Sequence, residues 1–309
     1  MTAVPRTRHP EAMNAPAGAA QPASVDAVVD LLQAHDYLCD RRLATAILVS
    51  MRINKPLFLE GEAGVGKTEA ARALAAGLGA RLIRLQCYEG IDLAHAAYEW
   101  NYARQLLHIR LVGEREDRVR TEQDVFGPDF LLRRPLLDAI DNHDAVPPVL
   151  LIDEIDRSDE EFEAFLLEIL ADYAISIPEM GTIRAEHPPL VILTGNRTRE
   201  VHDALKRRCL YHWIDYPDLE REVAIVRVRA PEVSERLGRQ VAEVTQRLRG
   251  LDLYKVPGVA ETVDWARALA ALGHTDATPA ALRETMGAAI KHQEDLERSE
   301  EAIAFPAGR

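Results

Sequence analysis

The sequence predicts an α/β protein, a mostly parallel sheet between helices, followed by a separate all-helical domain. Three observations carry that prediction. Up to about residue 216, short apolar runs alternate with segments whose apolar residues recur at helical spacing. Three of those runs end in polar residues suited to a nucleotide site. Beyond Pro217 the helical spacing continues alone, enough for a second domain of about 90 residues. The expected partition is a disordered tail at 1–23, the α/β domain at 24–216, the helical domain at 217–300 and a flexible end at 301–309.

The 309-residue chain carries a formal net charge of −13, which weighs against a nucleic-acid role driven by phosphate contacts. No apolar run approaches the length of a membrane span, and the N-terminal stretch lacks the apolar core of a secretory signal. A cytoplasmic protein is expected. Cys39, Cys87 and Cys209 lack the paired spacing of a metal site or disulfide framework and read as buried thiols.

In chain order, residues 1–23 are rich in Ala and Pro with no hydrophobic period. Ser24 can cap a first helix whose Val25, Val28, Val29 and Leu32 share one face, and a second helix covers Arg41 to Met51. Leu57-Phe58-Leu59 reads as a buried strand, Thr68 to Leu78 as a helix ended by Gly79, and Leu82 to Leu85 as another strand. Tyr88, Tyr98, Trp100 and Tyr102 lie among charges in the stretch from Cys87 to Val119, a spacing more typical of packing than of a binding surface. Phe130 to Ile140 looks helical, and Val149 to Ile152 is an apolar strand. Ser158 with Glu161 forms a capping box for a helix carrying Phe162, Leu166, Ile169 and Leu170. Ile175-Ser176-Ile177 and Thr182-Ile183 flank Pro178 to Gly181 as a β-hairpin; Val191 to Leu193 and Tyr211 to Ile214 are further strands. Asp218 can cap the first helix of the second domain, and Val233 to Leu248, Val259 to Leu272 and Ala280 to Leu296 follow, the last with Thr278-Pro279 at its start.

Gly61-Glu62-Ala63-Gly64-Val65-Gly66-Lys67-Thr68 fits the phosphate-binding pattern G-x-x-x-x-G-K-[ST], with a strand before it and a helix, continuing through Glu69, after it. Glycines let successive N–H groups turn onto phosphates, and the helix N-terminus adds its positive dipole end. Lys67 is expected to reach the β- and γ-phosphates, and Thr68 to bind Mg²⁺. Asp153-Glu154 ends an apolar strand; Asp153 is expected in the Mg²⁺ shell and Glu154 to orient and polarise the attacking water. Asn196 follows a third strand, where it can hold that water or sense the γ-phosphate. Lys206-Arg207-Arg208 reads either as a solvated helix end or as an arginine projected into a neighbouring subunit's γ-phosphate. His108 and His212 carry no assignment.

The order of phosphate loop, Asp153-Glu154, hairpin, Asn196, arginine cluster and helical C-terminal domain resembles an AAA+ ATPase. The inserted helical segment before Val149 and the hairpin before Asn196 resemble the MoxR group. Arg84-Leu85-Gln86-Cys87-Tyr88-Glu89-Gly90, Tyr98 to Tyr102, Leu205 to Pro217 and Pro257 to Ala266 resemble its CoxD branch. The resemblance covers residues 25 to about 295 and implies an AAA+ P-loop domain with a helical lid. It implies ATP and Mg²⁺ at the interfaces of a homo-oligomeric ring, usually of six subunits. Lys67 and Thr68 match the Walker A residues, Gly61 to Glu69 the nucleotide loop, Asp153 and Glu154 the Walker B pair, and Asn196 sensor 1. Arg208 matches the arginine finger, with Arg207 as the register-shifted alternative. MoxR relatives carry a sensor 2 arginine where this chain reads Val259 to Trp265, with Arg267 more than a turn too late.

The resemblance implies a remodelling chaperone that assists metalloenzyme maturation, such as metal-and-sulfur insertion into a molybdenum-containing carbon monoxide dehydrogenase. A partner with a von Willebrand factor A domain is expected, and neither nucleic acid nor a membrane. Two rivals are a nucleotide-gated scaffold with little hydrolysis, which the absent sensor 2 arginine favours, and a nucleic-acid motor, which the acidic balance opposes.

Overall fold

Alternating buried strands and amphipathic helices assemble into a layered α/β structure. The computed structural model describes residues 21–113 and 125–304. Five strands form the main sheet: β1 (Leu57–Gly61), β2 (Leu82–Gln86), β5 (Val149–Asp153), β8 (Leu190–Gly195) and β9 (Leu210–Ile214). Their order is β2-β5-β8-β1-β9, and every neighbouring pair is parallel. The chain leaves β1 for the far edge and later crosses back over β1 to reach β9, so the sheet reverses direction at β1. Such a switch point opens a crevice at the carboxyl ends of the strands.

Side-chain alternation along each strand divides the core between two faces. Leu57, Leu59, Val149, Leu151 and Ile192 pack with helices α1 (Val25–Gln33), α2 (Arg41–Ile53) and α3 (Lys67–Gly77). Phe58, Leu150, Ile152, Val191 and Leu193 pack on the other face with α6 (Pro135–Ile140) and α7 (Glu160–Asp172). Burial of one Leu or Ile contributes about 1.5–3 kcal/mol. The three central strands β1, β5 and β8, whose faces are both covered, therefore give the sheet much of its stability and carry near-continuous apolar sequence.

Two small sheets stand beside this core. β3 (Tyr98–Trp100) pairs antiparallel with β4 (Leu131–Arg133), and β6 (Ala174–Ile177) pairs with β7 (Gly181–Arg184) in the expected hairpin. Between β2 and β4 lie the short helix α4 (Leu93–Ala96) and helix α5 (Tyr102–Gly113). Trp100 packs edge-on against Phe126 at 5.3 Å, as the packing reading requires. Tyr102 does not pack: it is 63% exposed on α5, beside the equally exposed Leu106 and Leu107.

Helix α8 (Asp203–Arg208) precedes β9, and α9 (Leu219–Arg229), α10 (Glu235–Arg249), α11 (Val259–Ala271), α12 (Pro279–Thr285) and α13 (Gln293–Ala304) follow it. They enclose a separate core centred on Leu237, Val241, Trp265, Leu269 and Met286. A buried ion pair fixes their packing: Glu222 of α9 accepts from Arg249 of α10 at 2.7 and 2.8 Å and from Thr262 of α11 at 2.7 Å. None of the helices among the described residues is long and apolar enough to cross a membrane.

Three local expectations differ from what forms. Phe130 to Ile140 is not one helix. Pro135 holds Arg134 extended, so Leu131–Arg133 pairs with β3 and the helix begins at Pro135. The cap of α7 is Asp159, whose carboxylate accepts from the Phe162 amide at 2.8 Å; Ser158 instead donates to the Ile155 carbonyl. Ala280 to Leu296 breaks after Thr285, whose hydroxyl donates to the Ala281 carbonyl and accepts from the Trp265 indole, both at 2.8 Å. Such back-bonding bends helices. The new helix α13 then brings the buried Asp295 under the amides of Tyr254 and Lys255. It runs to Ala304, past residue 300. The predicted tail, apart from residues 21–23, lies outside the described residues, as do 305–309 and residues 114–119 of the aromatic stretch.

Candidate functional site

The end of β1 dictates the shape of the phosphate loop. A Cβ on Gly61 would stand 2.3 Å from the Ile214 carbonyl oxygen, so the strand can close against β9 only with glycine there. Gly66 adopts φ +97°, the left-handed conformation that glycine enters freely, and starts α3. The first amides of α3 thus point into the crevice with the positive end of the helix. Lys67 is buried and donates to the carbonyls of Gly61 at 2.8 Å and Glu62 at 2.6 Å. Burial lowers the affinity of its ammonium for the proton, while the carboxylates of Asp156, Glu62, Asp153 and Glu154 oppose that shift.

The parallel register brings the acidic pair alongside. Thr68 donates to Asp153 Oδ1 at 3.0 Å, and Thr194 at the end of β8 donates to the same oxygen at 2.6 Å. The Glu154 amide in turn donates to the Thr194 hydroxyl at 3.0 Å. Arg84 and Gln86 lie two apart on β2 and therefore share a face. Arg84 donates to Asp153 Oδ2 through Nε at 2.9 Å and Nη2 at 2.6 Å, and Gln86 reaches Glu154 Oε2 at 3.1 Å. Arg157 donates to that same Glu154 oxygen at 2.9 Å. Glu154 itself sits at φ +57°, a strained conformation for a non-glycine that turns the chain sharply after the strand. The sequence reading missed Thr194, Arg84, Gln86 and Arg157. Its one signal was the polar residues of β2 alternating with apolar ones.

A cavity of about 780 Å³ joins these groups to the helical domain. Gly64 to Thr68, Asp153, Glu154, Thr194 and Asn196 line its floor, and α9 and α11 line its roof. The roof meets the loop directly: the Val259 amide donates to the Gly64 carbonyl at 3.0 Å, and a Cβ on Gly64 would lie 2.9 Å from the Gly258 Cα. At the far end Tyr37 is buried beside Gly66, its phenol pushed above the usual range by that burial. His212 also lines the cavity, while His108 packs edge-on against Phe130 at 5.2 Å.

The structure brings Gly61 to Glu69, Asp153, Glu154 and Asn196 together, but not the arginines. Arg207 and Arg208 end α8 beside Leu210, which pairs with Leu57 at the opposite end of β1 from the loop. About 13 Å of strand separates the two ends. Both arginines are exposed and border a second cavity of about 550 Å³ with Lys55 and Tyr173. On α11 the roof presents Val259, Val263 and Asp264 rather than an arginine in register. Arg267 does reach the cavity wall, tied to Glu232 at 3.0 Å, and Arg229 of α9 pairs with Glu69 at 2.6 Å.

Thr68 Oγ1 and Asp153 Oδ1 lie together at the cavity floor and supply hard oxygen donors of the kind Mg²⁺ takes alongside phosphate oxygens and water. Among the described residues there is no group of three or more His, Cys, Asp or Glu side chains that could hold a metal without such a substrate. A left-handed glycine loop, a helix N-terminus, a lysine and a strand-end acid pair together define a nucleoside-triphosphate-hydrolysing P-loop protein. Residues 57–214 match the family described as "ATPase family associated with various cellular activities (AAA)", and the chain belongs to that family. It is an ATPase that uses ATP and Mg²⁺, and members of its family typically assemble as rings. The Holliday junction branch migration motor RuvB of Thermotoga maritima has a similar solved structure, with a TM-score of 0.45 and 15% identity over 86% of this chain and 72% of that one. No curated protein matches the sequence.

Proposed function

We propose that the chain is a ring-forming remodelling ATPase of the MoxR type in which each site is completed by an arginine from the neighbouring subunit. The observation that carries this reading is the placement of Arg207 and Arg208. They are exposed at the far end of the sheet from their own cavity, and among the described residues neither is held in an ion pair. A cation so placed can serve a phosphate only on another copy. Head-to-tail contacts of this kind form rings when the rotation between copies closes.

Within one site Lys67 and the α3 amides hold the phosphates, Glu154 orients and polarises the attacking water, and Asn196 holds that water or senses the γ-phosphate. Mg²⁺, held by Thr68 and Asp153, would neutralise charge on the phosphate oxygens. Arg208, with Arg207 the alternative, acts in trans. The resemblance of the finer stretches to the CoxD branch supports a cytoplasmic role in metalloenzyme maturation, with a von Willebrand factor A domain partner and six subunits in the ring. The lack of an arginine in register between Val259 and Trp265, where the roof presents Val259, Val263 and Asp264, favours a second reading as a slowly hydrolysing, nucleotide-gated scaffold.

Arg208→Ala tests the proposal. An arginine finger contributes about 10³–10⁵ in rate, so turnover is lost while ATP affinity is retained. Normal turnover in Arg208→Ala and in Arg207→Ala would remove the interface assignment. Turnover in the wild type of a few per hour or less, with ATP-dependent assembly intact, would favour the scaffold.

A further inference from the structure

Beyond its charge acting on Lys67, Asp156 has no role assigned above, yet it is a carboxylate only 2% exposed. It sits in the single turn Ile155–Arg157 that follows Glu154. One of its oxygens does all the bonding. Oδ2 accepts from the Asn196 amide at 3.1 Å, the Thr198 amide at 2.8 Å and the Thr198 hydroxyl at 2.6 Å. Oδ1 is buried with no partner among the described residues. Between its two amide donors Arg197 takes φ +59°, a conformation that a non-glycine holds only when its surroundings impose it. A second buried carboxylate fixes the rest of the same loop. Glu163 accepts from the His202 amide at 2.7 Å and from the Arg199 guanidinium, which also donates to the Ser158 carbonyl at 2.7 Å.

A buried charge is costly unless hydrogen bonds compensate it, and removing its partners is more costly still. Three donors from one loop converging on one oxygen are such compensation. The same bonds hold the backbone of that loop. Asn196 has a short side chain, so fixing its amide leaves little freedom in where its carboxamide stands. We propose that Asp156 is a positioning residue, which sets Asn196 against the phosphate end of the cavity by holding the amides of Asn196 and Thr198. It ties the strand that carries Glu154 to the strand that carries Asn196, so both polar groups move as one unit. The proposal rests on the reading of Asn196 as a residue that acts on the water or the γ-phosphate.

The test compares Asn196→Ala, Asp156→Ala, Asp156→Asn, Thr198→Val and the double variant Asp156→Ala/Asn196→Ala. The readouts are steady-state ATP hydrolysis and the affinity for a fluorescent ATP analogue. A misplacement of about 1 Å costs about 10²-fold in rate. Asp156→Ala is therefore expected to lower kcat about 10²-fold with ATP affinity within about twofold of wild type, and the double variant to be no slower than Asn196→Ala. Asp156→Asn recovers most of the rate, because its amide oxygen can take the place of Oδ2 and its NH₂ group that of the unpartnered Oδ1. Thr198 is exposed, so Thr198→Val removes the hydroxyl bond alone while the carboxylate and its two amide donors stay in place, and a fall of several-fold in kcat is expected. A slow Asn196→Ala beside a fast Asp156→Ala and a fast Thr198→Val would overturn the proposal alone. Multiplying effects in the double variant, or an Asp156→Asn as slow as Asp156→Ala, would also overturn it. An unaffected Asn196→Ala would overturn the reading of Asn196 itself, and the proposal with it.

Discussion

Thr194→Val removes one hydroxyl from the centre of the acid pair while keeping the side chain's shape. Thr194 is 1% exposed, and its hydroxyl donates to Asp153 Oδ1 and accepts from the Glu154 amide. A hydrogen bond to an ionised group contributes about 1.5–3 kcal/mol, and a buried donor left without an acceptor costs about 1–3 kcal/mol. Asp153 keeps Thr68 and Arg84 as donors, so part of the first loss is recovered. A net destabilisation of about 2–4 kcal/mol follows. For a 309-residue chain that corresponds to a fall in Tm of roughly 3–6 °C. Thermal unfolding followed by circular dichroism measures it, with Thr194→Ser as the control that keeps the hydroxyl and loses a methyl group, at about 1 kcal/mol. ATP hydrolysis should fall in Thr194→Val and not in Thr194→Ser, since Glu154 loses the anchor of its own amide. Equal Tm and equal kcat for the two variants would refute the reasoning, because the hydroxyl would then contribute nothing to placing the acids.

The remaining predictions concern titration and thiol chemistry. Burial depresses the His212 imidazole below its ordinary value of 6.5, with Asp40 only partly offsetting this. The unfolded chain therefore binds the proton more readily than the folded one, and stability falls as pH drops below about 6.5. Above that pH the imidazole is neutral in both states and contributes no slope; in His212→Gln the decline on the acid side should be shallower in denaturant titrations at successive pH values. Burial pushes the thiols of Cys87 and Cys209 up to about 12. Native protein at pH 8 should alkylate at Cys39, which is only half-buried, well before either of them, and mass spectrometry of peptides after brief iodoacetamide exposure reads that order.

The parts of the site that announce themselves in the sequence are those built from contiguous residues. The glycine loop, the apolar run ending in Asp153-Glu154 and the run ending near Asn196 each carry their own strand or helix signal, and the parallel sheet follows from their alternation with helices. The contacts that organise the acids have no such signal. Arg84 meets Asp153 from 69 positions away, Thr194 from 41, and Asp156 holds Asn196 across 40. Those meetings depend on the strand order β2-β5-β8, which no local pattern encodes. The misjudged helices have local causes of a subtler kind. A proline at 135 ended one pattern and started another, and Thr285 is an ordinary helix residue until its hydroxyl is claimed by Trp265. The lack of an arginine in register on α11 was legible in the sequence, but only the fold shows Asp264 and Arg267 lining the cavity and Arg229 paired with Glu69 nearby.

The central claim is that Arg208 acts on a neighbour's ATP, and the most direct measurement is hydrolysis by mixtures of Glu154→Gln with Arg208→Ala. Each variant alone is inactive on this account. In an equal mixture about a quarter of the interfaces pair an intact Glu154 with an intact Arg208 from the adjacent copy. Activity returning on mixing, to roughly that fraction of wild type, is the predicted result. A mixture as inactive as its components, although mass measurements show the two variants assembling together, would contradict action in trans.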